Sequence, residues 1–397
     1  MARRPAIPAG PHDVNHDWLW QALASSSGFE PSQLRAIRAE PVGPGRGLLS
    51  TVIRCHLVWS VDAPQQPASV IVKCHSADRK TFRLARILTL YRQEYEFYRR
   101  IRPFAVIRAP ALLYGDFAPV SHRFVMVLED LADLETVSQV NGASPVQAKS
   151  AVRAVARMHA RYWNNLDHTV LSNAPDYSRK YRRLTQLGYA LNLPRTLDRF
   201  GSLFNPETRS VVETYGARIA DHLSDISRGP KTFTHGDFRV DNLFFDGPGI
   251  DDVVAIDWQN GGIHSGLRDI TYLLSTSVTP ETRRAIEQDV VGEYHDALVG
   301  AGVGGYSVDE CWRSYRQVML SCLIGAVFTC GSLDLNDEAS HRTMEIGLGR
   351  TLAAIDDLHA EEFLPGRART FSLGRVVPAL SAGAVRAYRR IGNLRRG

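Results

Sequence analysis

The stretch that decides the fold of this chain is Thr234-His235-Gly236-Asp237-Phe238-Arg239-Val240-Asp241-Asn242, followed by Val253-Val254-Ala255-Ile256-Asp257-Trp258. Asp237 and Asn242 are five residues apart in a polar turn, and Asp257 lies twenty residues beyond Asp237, at the end of an apolar run. A carboxylate that accepts a hydroxyl proton, with an amide and a second carboxylate that hold Mg²⁺, is the minimum equipment for phosphoryl transfer to an alcohol. The spacing therefore predicts a site for that chemistry.

Each residue type in this stretch suits one task. Asp237 would orient an acceptor hydroxyl and take its proton, while Asn242 and Asp257 would supply oxygen ligands for Mg²⁺. Gly236 allows a tight turn because it has no Cβ. His235 is interpreted as structural, with its ring bonded to nearby backbone rather than acting as a base.

Arginine dominates the basic residues, and this affects the interpretation of Arg239. Only five of the 47 basic residues are lysines, so 42 are arginines. Arg239 follows Asp237 by two positions and could reach a transferred phosphoryl group, or it could be one surface arginine among many. The net charge of +5 is modest for this length and does not argue for a nucleic-acid partner.

Size and composition limit the class of protein. A length of 397 residues suggests two lobes or domains, and 44% hydrophobic with 22% charged residues is ordinary for a soluble protein. The five cysteines form neither a CxxC pair nor a metal-ligand spacing, which indicates a reducing compartment. The first residues lack the apolar core of a signal peptide, and the longest apolar stretch, 318–330, is too short to span a bilayer. We therefore expect a cytoplasmic protein, and its oligomeric state stays open.

The N-terminal third is predicted to form a small sheet with two helices. The helices are expected over 12–28 and 80–101, the second of which ends before Pro103. Strands are expected over 34–42, 48–59, 69–74, 111–114 and 123–128. The connections between the first three strands are too short for crossovers, so these strands should form an antiparallel meander.

A polar break at 129–133 is the predicted boundary between the two lobes. Beyond it, helices are expected over 144–163, 206–227, 280–300, 307–331 and 339–358, with two short strands at 242–246 and 253–257. The predicted fold class is α+β, with a small antiparallel-sheet lobe over 1–128 and a larger, mainly helical lobe over 129–365. The tail, 366–397, carries eight arginines and no acid. A solvated terminus is favoured there over an arm that touches an anionic partner.

Lys73 ends the third predicted strand, and an ammonium buried there would need an anionic partner. A phosphate of a nucleotide and a glutamate of the following helix would both serve. Glu94 and Glu96 are the candidates, and only one of them can face Lys73 because they are two residues apart on a helix. Glu94 is preferred because it lies among the apolar residues of that helix. The alternative is a solvated lysine at a sheet edge.

Two backbone segments could complete a nucleotide site. The first is the glycine-rich turn with Gly43, Gly45 and Gly47, whose amides could cover phosphates, although glycine-proline turns are common. The second runs from Glu129 to Leu131 and could present backbone groups to an adenine ring. A plain linker is the alternative for that second segment.

Three further polar residues are interpreted as structural. Asp269 opens a helix-like run and would cap it, or hold the catalytic turn through backbone amides. His159 and His264 have no partners at metal-ligand spacing.

The chain resembles the aminoglycoside phosphotransferase family, within the wider kinase-like superfamily that includes choline kinases and ecdysteroid-kinase-like proteins. The resemblance is carried by Lys73, Glu94, the stretch 235–242 and Ile256-Asp257-Trp258-Gln259, with Asp269 in the family's place, over about 42–274. It implies a bilobal protein-kinase-like fold, ATP and Mg²⁺ as cofactors, and phosphorylation of a hydroxyl on a small molecule.

The resemblance also assigns roles and excludes some substrates. Lys73, placed by Glu94, would hold ATP phosphates, and Arg239 occupies the position of a phosphate-contacting basic residue in related kinases. His-Gly-Asp stands where protein kinases have His-Arg-Asp, Ile-Asp-Trp replaces Asp-Phe-Gly, and no Ala-Pro-Glu segment follows. These departures argue against a protein substrate.

The acceptor stays open at this level. A polycationic aminoglycoside would need an acidic pocket, and the helical half is not conspicuously acidic. The candidate acids there are Asp334, Asp337, Glu338 and Glu345. A sugar, an uncharged or apolar alcohol, or another metabolite is at least as good a candidate. The alternatives to a kinase are a nucleotide-binding pseudokinase and a metal-dependent hydrolase that uses His235, Asp237 and Asp257.

Overall fold

The computed structural model describes residues 4–24, 31–42, 49–60, 66–165, 171, 174–176, 178–247, 249, 252–332 and 338–366. Its N-terminal part contains the five predicted strands, β1 (Leu34–Pro41), β2 (Ser50–Trp59), β3 (Ser69–His75), β4 (Leu112–Phe117) and β5 (Phe124–Glu129). They form one sheet in the order β1-β2-β3-β5-β4, and every neighbouring pair is antiparallel. The meander of the first three strands is confirmed. β4 lies at the far edge because the helices that precede it carry the chain past β5.

The two faces of the sheet have different tasks. Val70, Val72 and Cys74 of β3 are buried on the face that α1 (His16–Leu23) covers. Because side chains alternate along a strand, Lys73 must lie on the opposite face. That face packs against the helices that follow β3, so one alternating strand serves both a hydrophobic core and a charged site.

The predicted helix over 80–101 is wrong as a single element. It is divided into α2 (Arg79–Ile87), α3 (Leu90–Glu96) and a π-helical turn over Phe97–Ile101. Thr89 separates the first two with a left-handed backbone (φ 59°), and the side chain of Gln93 donates to the Leu88 carbonyl and the Thr89 hydroxyl. The apolar periodicity continues across this break, so periodicity alone could not reveal it.

Beyond β5, the described residues are mainly helical around two small sheets. Strands β6 (Glu135–Thr136), β8 (Leu243–Phe245) and β9 (Val253–Ala255) form one sheet, and β7 (Thr232–Thr234) pairs with β10 (Gly262–His264). The helices are α4 (Pro145–Arg161), α5 (Arg179–Arg199), α6 (Pro206–Gly216), α7 (Ile219–Ile226), α8 (Leu267–Ser277), α9 (Pro280–Gly300), α10 (Val308–Met319), α11 (Cys322–Ser332) and α12 (Glu338–Asp357). The architecture is the expected α+β arrangement of a small antiparallel sheet and a larger helical part.

Helix α5 was missed by the sequence analysis, and two predicted helices are each divided in two. The buried residues of α5 are polar, small or aromatic rather than an aliphatic stripe, and Pro194 lies inside the helix. Its position is decided by packing against α7 and α11. Predicted helix 206–227 is α6 and α7, and 307–331 is α10 and α11, since short irregular links leave an apolar pattern largely intact.

Specific bonds join the sheet to the helical part. The backbone N–H of Ala255 in β9 donates to the carbonyl of Arg108 at 2.9 Å, and Arg54 of β2 makes two hydrogen bonds to Asp130, just after β5. One large hydrophobic core also runs from α3 into the helical part. The boundary between residues 128 and 129 stays a prediction. All five cysteines are buried and free, and none of the described helices is long and apolar enough to cross a membrane.

We expect the stability of the folded chain to depend on pH through the buried residue His222. The Tyr215 hydroxyl and the Gln317 carbonyl each lie 3.0 Å from its ring nitrogens, which suits a neutral imidazole. Burial lowers the pKa of His222 to about 4, although the Gln317 bond opposes this. Because the pKa of His222 is depressed in the folded chain, its contribution to the free energy of unfolding is complete above the unfolded pKa of about 6.5. It is lost as pH falls towards 4, by up to about 3 kcal/mol.

Urea unfolding between about pH 7 and pH 4 tests this dependence. The variant His222→Gln cannot titrate, so its stability should fall less steeply over this range than that of the unaltered chain. Equal slopes in the two proteins would contradict the role given to His222.

Candidate active site

The turn that follows β7 is held by a buried carboxylate of α8. Asp269 accepts hydrogen bonds from the backbone N–H of His235 at 2.7 Å and of Gly236 at 2.8 Å. His159 of α4 lies 3.2 Å from the same carboxylate, and its other ring nitrogen contacts the Tyr294 hydroxyl. Burial would raise the pKa of Asp269, but these partners lower it below its ordinary value. Of the two structural roles weighed for Asp269, the contacts match the one that holds the turn.

His235 is fully occupied by backbone. Its Nε2 lies 2.8 Å from the Ile256 carbonyl, and its Nδ1 accepts from the N–H of Asp237 at 3.2 Å. These partners place the ring proton on Nε2 and leave neither nitrogen for a metal or a substrate. The ring therefore ties the turn to the chain just before Asp257, as the structural interpretation expected.

Gly236 is required by the turn in two ways. Its φ is +82°, in the left-handed region that favours glycine, and a Cβ there would run into the carbonyl of Asn260. The turn and the segment after Asp257 are thus in close backbone contact, which sets their separation.

Gly236→Ala should destabilise the chain by about 2 kcal/mol or more, since a strained φ is added to the clash. It should also impair any activity that depends on Asp237, because the turn must shift. The matched control is Gly292→Ala in α9, where nothing lies within 4 Å of the new Cβ and φ is not positive. Denaturant unfolding of both variants tests the difference, and equal stability would contradict it.

Asp237 and Asn242 are joined directly. Nδ2 of Asn242 donates to the backbone carbonyl of Asp237 at 2.9 Å and to its Oδ2 at 3.1 Å. The amide hydrogens face Asp237, which leaves the amide oxygen for another partner. The N–H of Ile256 also donates to the Asn242 carbonyl at 2.9 Å, so the β8–β9 pairing brings Asn242 beside the residue before Asp257.

Asp257 connects this turn with the sheet. Its backbone is left-handed (φ 65°), and its Oδ1 accepts from Nζ of Lys73 at 2.8 Å. Its Oδ2 accepts from the side chain of Gln259 at 3.2 Å. Lys73 is 184 residues away in sequence, so only the folded chain brings this pair together.

Lys73 also bonds Glu94 of α3, with Nζ 2.7 Å from Oε1. This is the pairing that the sequence analysis preferred, and Glu96 instead pairs with Arg100. Burial would lower the pKa of Lys73, but Asp257 and Glu94 outweigh it and hold the pKa above its ordinary value. Burial raises the pKa of Glu94 against the lowering by Lys73. The lysine therefore carries its charge between two acids.

Arg239 points into the turn rather than into solvent. Its Nη1 donates to the side-chain oxygen of Gln139 at 2.9 Å, and its Nε lies 3.4 Å from Oδ1 of Asp237. Asp237 raises the pKa of Arg239, which outweighs the effect of burial. The contacts favour a site arginine over a surface arginine, the alternative that the sequence left open.

Two residues at the site were missed by the sequence analysis. Tyr272 of α8 interacts electrostatically with Asp237, and burial, with Asp237, raises the pKa of its hydroxyl. Gln139 precedes α4 and holds Arg239. Neither residue belongs to a sequence motif: Tyr272 lies on an amphipathic helix and Gln139 in a loop. The sequence therefore carried no local signal that either would lie at the site.

The remaining residues predicted to contact the nucleotide are Glu129, Leu131, Gly45 and Gly47. The Glu129 carboxylate contacts Arg108 and accepts from the N–H of Ala111, so its side chain is occupied. Leu131 is buried after β5, and its carbonyl accepts from Leu134. Adenine contact by this segment stays a prediction. Gly45 and Gly47 lie outside the described residues.

The candidate acceptor acids are only partly described. Asp334 and Asp337 lie outside the described residues. Glu338 begins α12 and Glu345 is half-buried within it.

The fold and these contacts define a protein of the protein-kinase-like class. A lysine–glutamate pair between sheet and helix faces a turn of aspartate, asparagine and a second aspartate, and the sheet and helical part enclose them. The sequence model of the ecdysteroid kinase-like family matches residues 44–301, well over half of the chain. The chain belongs to the ecdysteroid kinase-like family, one of the relatives that the sequence resemblance named.

Solved structures show the same fold at low sequence identity. A choline kinase from Cryptosporidium parvum superimposes with a TM-score of 0.53 at 11% identity, covering 87% of this chain and 96% of that chain. A putative aminoglycoside phosphotransferase from Ralstonia eutropha gives 0.52 at 14%, covering 87% and 97%. An ethanolamine kinase from Plasmodium vivax gives 0.52 at 12%, covering 87% and 89%. No curated protein matches the sequence significantly.

Proposed function

We propose that this protein transfers the γ-phosphoryl group of ATP to a hydroxyl group of a small molecule in the presence of Mg²⁺. The observation that carries the proposal is the convergence on one site of Lys73, from the sheet, with Asp237, Asn242 and Asp257, from the helical part. The family and the small-molecule kinases that share the fold support the same class of reaction.

Lys73 would bind the phosphates of the nucleotide, and Arg239 would bind the phosphoryl group during transfer. Lys73 is held in its charged state by Glu94 and Asp257, so it can offer a positive charge at a fixed place. Arg239 is oriented beside Asp237 and would meet the phosphoryl group during transfer. Both are proposed to act through position and charge, which is the main contribution of a protein to phosphoryl transfer.

Asp237 would act on the acceptor. The acceptor oxygen forms a bond to the γ-phosphorus while the bond from that phosphorus to the bridging oxygen of ADP breaks, and ADP leaves with the electron pair. The hydroxyl proton passes to the Asp237 carboxylate and then to solvent. The products are ADP and a phosphate monoester.

Asn242 and Asp257 fit a magnesium ion by their chemistry. Both offer oxygen donors, which Mg²⁺ prefers, and the Asn242 amide turns its hydrogens towards Asp237 and leaves its oxygen available. When bound, the ion would neutralise charge on the phosphates of the nucleotide. Asp257 also bonds Lys73. One carboxylate would therefore both bind the magnesium ion and fix the position of the cation that binds the phosphates.

The acceptor that fits best is an uncharged alcohol. Tyr272 interacts electrostatically with Asp237. Its ring also lies close to Gly325 of α11, 3.5 Å from where a Cβ on that glycine would stand. Helix α11 contains no charged residue. An acceptor site bordered by Tyr272 and α11 would offer little to a polycation, which needs carboxylates.

The test is release of ADP from ATP with Mg²⁺ in the presence of a panel of hydroxyl compounds, with GTP in parallel. We expect turnover with one or more uncharged alcohols. Nucleotide binding without turnover for any acceptor would favour a pseudokinase. Absence of nucleotide binding would sink the proposal, although a hydrolase that uses His235 is already disfavoured because both ring nitrogens bond backbone.

A further inference from the structure

Gln139, in the loop between β6 and α4, is a buried amide that contacts the catalytic turn on two sides. Its side-chain oxygen accepts from Nη1 of Arg239 at 2.9 Å, and its backbone N–H donates to Oδ1 of Asp241 at 3.0 Å. Its Nε2 donates to the carbonyl of Thr276, at the end of α8, at 3.3 Å. One residue outside the turn therefore restrains two side chains within it.

The loop that carries Gln139 is held in turn by Arg350 of α12. Nη1 of Arg350 donates to the carbonyls of Gln139 at 2.6 Å and Thr276 at 3.1 Å, and Nη2 donates to the Val140 carbonyl at 2.9 Å. Within the described part of the chain, no carboxylate forms an ion pair with this buried guanidinium. Burial lowers its pKa, against an opposing effect of Glu281.

A buried cation that bonds only carbonyl groups is costly compared with a well-packed apolar side chain. General stability is therefore a poor reason for Arg350. The fixed conformation of the loop, and with it the position of Gln139, is a better one.

The position of Arg239 shows what this restraint achieves. Its Nε is buried and makes no hydrogen bond, although it lies 3.4 Å from Oδ1 of Asp237. Its Nη1 is 3.6 Å from Asp241, so both neighbouring acids stand at ion-pair distance beyond ordinary hydrogen-bond length. Without the Gln139 oxygen, the guanidinium would be free to close onto Asp237. It would then turn from a phosphate and occupy the carboxylate that should receive the proton.

We propose that Gln139 and Arg350 are positioning residues, which keep the guanidinium of Arg239 directed at the phosphoryl group during transfer. The inference rests on the proposed function. It adds two residues, one of them in the most C-terminal α-helix of the described chain, to the set that prepares the site. Neither needs to touch the nucleotide, since each acts through Arg239.

The test compares ADP binding, with Mg²⁺, in the absence and presence of aluminium fluoride, which mimics the phosphoryl group in transfer. In the unaltered chain, aluminium fluoride should tighten ADP binding by about 10²-fold or more, as transition-state mimics do. In Gln139→Met, which keeps the volume but loses the amide, this gain should fall about tenfold while binding of ADP alone is unchanged. Gln139→Glu keeps an oxygen acceptor for Arg239 and should restore most of the gain.

A double-variant cycle separates positioning from a general loss of structure. If Gln139 acts through Arg239, the combined variant Arg239→Ala with Gln139→Met should lose no more of the gain than Arg239→Ala alone. The control is Gln186→Met, which removes an equally buried amide that bonds Ala217 and Ala220. This control should leave the gain unchanged.

The experiment distinguishes failure of the positioning role from failure of the proposed function. Arg350→Lys keeps a cation but not the three-carbonyl arrangement, so it should reduce the gain even if Gln139→Met does not fold. An unchanged gain in Gln139→Met, or additive losses in the cycle, would overturn the positioning role alone. No aluminium fluoride effect in the unaltered chain would overturn the proposed function together with this role.

Discussion

Replacement of Asp237 by asparagine is expected to lower phosphoryl transfer by about 10²–10⁴-fold. Asparagine keeps the size of the side chain but cannot accept the proton of the attacking hydroxyl. Asp237 lies beside Asn242 and Arg239 rather than beside Lys73, so binding of ATP should change by only about threefold or less. Single-turnover ADP release measures the first effect, and calorimetric titration with ATP measures the second.

The control for this prediction is Asp289→Asn on the exposed side of α9. It removes the same charge from the chain without touching the cleft, and its turnover should equal that of the unaltered protein. Unchanged turnover in Asp237→Asn would falsify the assignment of this carboxylate.

Lys73→Met should have the second large effect, because it removes the cation between two acids. Glu94 is buried at 1% exposure and Asp257 is largely enclosed, so the substitution leaves two carboxylates without their partner. Breaking a buried ion pair in this way typically costs about 3–5 kcal/mol of unfolding free energy. Turnover should also fall about 10²-fold or more, since a fixed charge at the phosphates is lost. Urea unfolding and ADP release measure the two effects.

The pH dependence of Lys73→Met gives this prediction a specific signature. The pKa of Glu94 is already raised by burial, and loss of Lys73 removes the main influence that lowers it. A carboxyl whose folded pKa lies above its unfolded value contributes stability below the unfolded pKa and loses it as pH rises through the folded pKa. The destabilisation should therefore be smaller near about pH 5 than near about pH 8.

The control is Lys149→Met on α4. Lys149 pairs with Glu293 at the surface, so its removal should change stability little at either pH. An equal loss for the two lysine variants, or a loss in Lys73→Met that is independent of pH, would contradict the buried arrangement.

The sequence predicted the parts of the site whose geometry is local. Gly236, Asp237 and Asn242 lie within one turn, where a positive φ and short spacing leave few arrangements. The choice of Glu94 over Glu96 needed only the periodicity of a helix and the apolar character of one face. Strand β3 was predicted from its β-branched residues. Because side chains alternate along a strand, Lys73 lies opposite the hydrophobic face.

Other features could not be predicted because they depend on contacts between distant segments. Thr89 interrupts a helical pattern without changing its periodicity, and α5 packs without an aliphatic stripe. Gln139 and Arg350 are 211 residues apart and lie in no recognisable motif. Their contacts form only when the loop, α8 and α12 are brought together.

What the sequence by itself determined is the class of fold and the candidate residues of the site. A short turn and an alternating strand restrict the backbone so strongly that the placement of their side chains can be predicted without a structure. What only the tertiary structure decided is how these groups are held: His235 to the backbone before Asp257, Asp269 under the turn, and Arg239 by Gln139. The physical reason is that hydrogen bonds between remote segments form only after the core has packed, and no local pattern of residues records them.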